Sequence, residues 1–403
     1  MTADSNTLLL YSGLIGASGM QQNPSDNLPL LMQPFRLFFL GTALFATLGM
    51  LAWGLFLHLG MLPAGVLPAL YWHGHEMLFG FAGALMAGFM LTAVANWTGR
   101  ATTRPITLIV LAAVWLLARL LFLYPGKIPY VLPATLDVLF FPLLALYVSL
   151  PIIAARSWHN LFLIPLLLLF ALLDLLFHMA VRGFIGIPPT RILVWVIDLL
   201  ALLMLVMGGR VIPFFTSRRF PQVHIPRWRW LDWSVNAGAA LLFVVDILWP
   251  ASSVVAILSL VVSLLALVRL MAWQPYCGLA EPMLWVLYLG YLWLAVGLAL
   301  RGVALLTGSL TEITALHAIT AGALGSLSIG MMTRVALGHT GRPLKAGYAM
   351  SGAFLLVNVA ALLRIITPGF LPLAALLWAL AFVIYLVRFV PVHLGPLRVI
   401  QTG

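Results

Sequence analysis

Residues 73–100 read HGHEMLFGFAGALMAGFMLTAVANWTGR, and residues 317–342 read HAITAGALGSLSIGMMTRVALGHTGR. Each is an apolar run long enough to cross the ~30 Å hydrocarbon core of a bilayer. With His75 set on His317, Thr98-Gly99-Arg100 falls on Thr340-Gly341-Arg342. In the same frame Gly80, Gly83, Leu85, Gly88 and Met90 fall on Gly322, Gly325, Leu327, Gly330 and Met332. Small residues alone would speak only of helix packing. A histidine, three glycines and a terminal Thr-Gly-Arg in one frame indicate an internal repeat. A fainter copy lies between them, where Arg210-Val211 precedes Thr216-Ser217-Arg218 with the spacing of Arg334-Val335 before Thr340-Gly341-Arg342.

Working outward, similar apolar runs fill the chain. Hydrophobic residues are 63% and charged residues 8% of 403, whereas a soluble domain carries about a quarter charged. The runs predict an all-α polytopic membrane protein of about twelve helices, over 35–59, 73–97, 105–124, 131–153, 158–181, 190–214, 231–249, 251–272, 279–303, 311–337, 346–366 and 370–390. The three copies then lie on helices two, six and ten. This implies three four-helix units (31–155, 156–275 and 276–395) around an axis along the membrane normal, within a single transmembrane domain over 31–403. Residues 1–30 are polar, lack the basic region and cleavage site of a signal peptide, and read as a cytoplasmic tail.

The net charge of +11 does not indicate nucleic-acid binding, because the basic residues are scattered through short loops. They report topology instead. Fifteen of the 21 Lys and Arg fall on the side holding both termini, which the positive-inside rule makes cytoplasmic. The single cysteine, Cys277, excludes a disulfide framework and a covalent CxxCH haem attachment.

Ionisable groups in membrane helices are costly and tend to line sites. Here they gather at the outward ends of the helices: His58 on helix one, His73, His75 and Glu76 on helix two, Asp137 on helix four, Asp174 and His178 on helix five, Asp198 on helix six, and Glu312 and His317 on helix ten. Residues two apart on a helix point in nearly opposite directions, so His73 and His75 are not expected to chelate one metal. Their places in the repeat suggest that His75 and His317 pair as ligands of one haem, with Gly74 leaving room for the macrocycle. Asp174 and His178, at i and i+4, share a face, and such an Asp can hold the tautomer of a ligating histidine. His73 and His178, with His58 nearby, are then candidates for a second centre, for which copper is the expected metal. The bland alternatives are interfacial hydrogen bonding for His58 and a simple buried pair for Asp174–His178. Arg210 and Arg334 are most simply snorkelling residues, with contact to a haem propionate as the functional alternative.

Pro34-Phe35-Arg36, Trp72-His73-Gly74-His75-Glu76-Met77-Leu78-Phe79-Gly80, Ala87-Gly88-Phe89, Asn96-Trp97-Thr98-Gly99, Gly209-Arg210-Val211-Ile212-Pro213-Phe214-Phe215-Thr216 and Met332-Thr333-Arg334 through Leu337-Gly338-His339-Thr340-Gly341-Arg342 resemble the NnrS family, in matching order through most of the chain. Where many members have His-Ala-His this chain has His-Gly-His, and where many read Val-Pro-Asn-Trp it has Val94-Ala95-Asn96-Trp97. The helix count and repeat also resemble the layout of the haem–copper oxidase catalytic subunit, although helices six and seven lack that subunit's histidines. The NnrS resemblance implies a multi-pass protein of the bacterial inner membrane, containing haem and copper and associated with denitrification and resistance to nitric oxide.

The expectation is a protein with non-covalent haem b, and with copper as its second metal, that binds nitric oxide and reduces it to nitrous oxide using an unidentified electron donor. His73, His75 and His317 would hold haem, with His178 and His58 at or near the second metal, and Glu76, Asp174, Asp198 and Glu312 would relay protons. The competing expectations are a non-enzymatic nitric-oxide-response or metal-protecting protein, a transporter of copper, haem or a nitrogen oxide, and a subunit that only relays electrons.

Overall fold

The computed structural model describes residues 28–60, 66–124 and 128–397. Most of the expected N-terminal tail lies outside these residues, as do Lys127 and Arg398 from the charge count. Among the described residues there is no strand, and twelve helices are long and apolar enough to span a membrane. The chain is a multi-pass helical membrane protein. In order the helices are α1 (Pro34–Leu59), α2 (Ala69–Thr98), α3 (Pro105–Leu123), α4 (Val131–Ala154), α5 (Trp158–Val181) and α6 (Pro189–Arg219). They continue with α7 (Arg229–Leu248), α8 (Ser253–Ala272), α9 (Pro282–Thr307), α10 (Glu312–His339), α11 (Gly347–Ile366) and α12 (Leu371–Leu394). With an even number of crossings, the start of α1 and the end of α12 share one side, here called the termini face.

The ends of the helices follow local chemistry. Pro34, Pro105, Pro189 and Pro282 stand at helix starts, where their missing N–H is no loss. The Thr-Gly-Arg runs of the repeat are stop signals: Gly99 (φ +66) and Gly341 (φ +68) take the left-handed conformation just after α2 and α10, which glycine adopts without strain. The middle copy has Ser217 in that place, and α6 accordingly runs on to Arg219.

The three helices of the repeat form the inside of the bundle. Buried residues make up 83%, 78% and 72% of the apolar windows of α2, α6 and α10, against 28–61% in the other nine spans. α1 packs along α12, which brings the two ends of the bundle together.

In α2 the backbone turns from α to π over Glu76–Phe81, immediately after His75. In α10 it does so over Ala318–Leu324, immediately after His317. Such wide turns are rare and recur at functional sites, so their coincidence at matched positions extends the sequence repeat into backbone geometry. The matched glycines do matched work. A Cβ on Gly80 would lie 2.9 Å from the Phe45 ring of α1, and one on Gly322 would lie 2.7 Å from the Trp293 ring of α9.

Candidate functional site

Three ionisable clusters lie toward the face opposite the termini. The first is built by α2, α3, α4 and α5. His75 is fully buried, with Nδ1 3.1 Å from Glu76 Oε1 and Nε2 3.0 Å from both Asp137 Oδ2 and Asp174 Oδ1. His178 Nε2 lies 3.4 Å from each of the same two aspartates. One ligand atom from each of His75, Asp137, Asp174 and His178 falls within 4.8 Å of the others. Asp174 Oδ2 makes no hydrogen bond among the described residues, and His178 Nε2 comes no nearer than 3.4 Å to either aspartate, although both atoms are buried. That is a donor set turned on a shared point.

Other residues hold these donors in place. Glu76 accepts from His75 when the ring carries its proton on Nδ1, which leaves the Nε2 lone pair facing the aspartates. Tyr130 OH lies 2.8 Å from His178 Nδ1 and does the same for that ring. Burial, together with the Asp174 and Asp137 charges, holds the Tyr130 phenol above its ordinary range, so its proton is retained. Arg119 pairs with Glu76 at 3.0 Å and with Asp137. Glu76, Asp137 and Asp174, when ionised, carry three charges against one on Arg119. Two buried negative charges are costly, and a divalent cation or bound protons must balance them.

A second site lies on the other flank of α2. His73 and His317 line one cavity of about 240 Å³, together with Trp53, Arg364 and Trp378. The His73 ring stacks on Trp53 at 4.1 Å, with the planes 6° apart, and its buried Nδ1 makes no hydrogen bond among the described residues. His317 Nδ1 donates to the Ile313 carbonyl at 2.7 Å, which directs the Nε2 lone pair away from its own helix turn. Met50, Met77 and Leu193 complete apolar walls.

A third cluster sets its three carboxylates around two built-in arginines. The buried Arg301 guanidinium lies 2.6 Å from Asp198, 3.0 Å from Asp246 and 3.0 Å from Glu312. Arg191 reaches Glu312 at 3.4 Å and Asp246 at 3.8 Å.

The pairing suggested by the repeat is therefore corrected. His317 shares its cavity with His73, and His75 faces α4 and α5. The cause is the one that separated the two in the sequence: residues two apart leave a helix on opposite sides. For the same reason His178 joins His75 and not His73. Asp174 reaches toward the ligand point with Oδ1, while Tyr130 orients His178. Gly74 makes room for protein, since a Cβ there would lie 2.7 Å from Leu193. His58 is exposed and belongs to neither histidine site.

Arg210 and Arg334 are near the termini face, each 17 residues along its helix from the level of Leu193 or His317, or roughly 26 Å at 1.5 Å per residue. Neither lines the His73–His317 cavity. Arg210 donates to Asn160 Oδ1 at 2.9 Å, and the Arg334 guanidinium lies 3.8 Å from the centre of the Phe215 ring. The sequence reading used Arg119, Arg301 and Arg364 only as topology markers and passed over Asp246 and Tyr130. The missed signal was depth: Arg119 and Arg301 stand one to two turns inside apolar spans, where a charge needs a partner.

No curated protein matches the chain. The family model described as NnrS protein matches residues 29–396, and the chain therefore belongs to the NnrS family.

Proposed function

We propose that this chain is a nitric-oxide-binding haem and copper protein that reduces nitric oxide to nitrous oxide, with both termini in the cytoplasm and the histidine sites on the periplasmic side of a bacterial inner membrane. Family membership and the helical membrane architecture fit a function related to nitric oxide. The observation that carries the finer reading is that His73 and His75 face two separate histidine sites across one helix.

The residues suit both groups. The cavity offers two imidazoles with unpartnered ring nitrogens, apolar and aromatic walls, and Arg364 to pair with a propionate. It is small for a tetrapyrrole, so the reading requires the flexible Met50, Met77 and Leu193 side chains to swing aside. The His75–Asp137–Asp174–His178 set, two nitrogens and two carboxylates, suits Cu(II) as well as zinc or iron. When bound, the two metals would supply nitric-oxide ligation and one-electron chemistry, with two NO, two electrons and two protons giving N2O and water.

The protein's own part is to hold and to move protons. Glu76 and Tyr130 fix the two imidazole tautomers, and Arg119 pairs with Glu76 and Asp137 and holds them in place. Asp174, whose Oδ2 has no hydrogen bond among the described residues, would carry a proton beside both histidines. Asp198 and Glu312 are tied to Arg301 and serve structure in this reading.

The transport alternative has less behind it, because the space among α2, α6 and α10 nearer the termini face is walled by Leu, Met and Phe with Ser328 as its one polar side chain. The test is to purify haem-replete, copper-replete protein, record its spectrum, count its metals and follow nitric oxide with an electrode. A Soret band and steady consumption with a one-electron donor are expected. Absence of a Soret band sinks the haem assignment, and binding without turnover reduces the protein to a sensor or scavenger.

A further inference from the structure

On the termini face, α6, α7 and α8 enclose a cavity of about 370 Å³ that belongs to none of the histidine sites. Three arginines line it, Arg210, Arg227 and Arg269, with Asp232 as its only carboxylate. Arg269 is 2% exposed and is held by the Leu205 carbonyl at 2.8 Å, by Tyr291 OH, and by Asp232 at 3.5 Å. Gly209 makes this placement feasible, because a Cβ there would lie 3.0 Å from Arg269 Nη1. Arg210 stacks over Phe162 at 4.9 Å and hydrogen-bonds only to Asn160 and His159. Among the described residues no carboxylate lies within ion-pair distance of Arg210 or Arg227. The cavity thus holds two cations in excess, one of them, Arg210, exposed at the surface but fixed in direction by Asn160, His159 and the Phe162 ring.

Its surroundings say what kind of anion would enter. α6 has 31 residues, roughly 46 Å at 1.5 Å per residue, so its last turns stand clear of a ~30 Å core and Arg210 lies at headgroup depth. Trp228, Trp230 and Trp233 are exposed beside the opening, the usual place of tryptophan at a membrane–water boundary. Val206, Pro213 and Leu231 give the cavity an apolar floor. A ligand with an anionic head and an apolar body matches both walls.

We infer that this cavity binds the phosphate headgroup of an anionic phospholipid, with Arg210 and Arg269 as phosphate partners and Arg227 at the rim. The inference is independent of the chemistry proposed for the histidine sites.

The test uses the full chain in nanodiscs of phosphatidylcholine, with or without phosphatidylglycerol, and native mass spectrometry of the detergent-purified protein. Wild type should retain about one anionic phospholipid per chain, as a built site between helices does, and should unfold at a higher temperature when phosphatidylglycerol is present. Arg210→Gln with Arg227→Gln should lose both the retained lipid and the thermal shift, while Arg388→Gln, an exposed arginine of α12 on the same face, should keep both. Absence of retained anionic lipid from wild type overturns the inference without recourse to any variant. So does a thermal shift that inorganic phosphate alone reproduces, which would make the site one for free anions.

Discussion

His73 and His75 are two residues apart on α2 and face different compartments: His73 lines the cavity that His317 also lines, and His75 meets Asp137 and Asp174 at 3.0 Å. One helix thus serves as the wall between two histidine sites. Substitution on one flank should leave the other intact. On the proposed assignment, His75→Ala and Asp174→Ala lose bound copper and keep a Soret band. His317→Ala is expected to lose or alter the Soret band while keeping the copper. Elemental analysis and optical spectra of the three purified variants check this, and loss of both groups in every variant would argue for a single shared centre.

Arg301 is the cation of the third cluster. Replacing it with Met would leave Asp198 buried without a cation and Asp246 with only Arg191 at 3.8 Å, and removing one partner of a buried pair costs about 3–5 kcal/mol. Arg301→Met should therefore unfold at markedly lower temperature in detergent. Adding Asp198→Asn and Asp246→Asn should recover part of the loss, since it removes the two fully buried carboxylate charges while Glu312 keeps Arg191. No recovery in the triple variant would mean that Arg301 acts through packing.

Glycines inside the helices should separate into two classes. A Cβ on Gly88 would lie 2.7 Å from the Phe39 ring and 3.0 Å from Phe38 Cβ, whereas one on Gly352 meets nothing within 4 Å. Gly88→Ala should destabilise by about 1–3 kcal/mol through overpacking. Gly352→Ala, inside α11, should be neutral or stabilising by roughly 0.5–1 kcal/mol, because glycine costs about that much in a helix. Thermal unfolding of the two variants side by side measures the contrast.

The frame of the molecule was legible because lipid imposes it. A span must be apolar and about twenty residues long, so twelve runs gave twelve helices with only their ends misplaced. The histidines could be assigned to one face for the same reason, and the opposed directions of His73 and His75 followed from helical geometry alone. Their partners did not follow. Whether α2 turns His75 toward α10 or toward α4 and α5 depends on its rotation within the bundle, which the apolar pattern of a helix buried on most sides does not encode. Arg119 and Arg301 were legible in principle, since each interrupts an apolar run by a turn or two. Their partners Asp137, Asp246 and Glu312 come from other helices and are brought near only by the fold.

The π turn over Glu76–Phe81 sets the angle between the two histidines and the rest of α2. It holds one residue more than an α turn, and removing that residue would rotate the segment before it by about 100° relative to the segment after it. Deleting Met77 should therefore swing His75 away from Asp137 and Asp174, and His73 away from its cavity, with the span still long enough to cross the membrane. The expected result is protein that inserts at normal yield but carries neither the copper nor a normal Soret band. An alanine inserted after Phe81 in the deletion variant restores the length of the helix but not the position of the wide turn. A deletion variant that keeps its full metal content would show that the π turn has no part in building the sites. Recovery of copper on alanine insertion would show that the residue count between His75 and Ala82, and not the identity of Met77, builds the site.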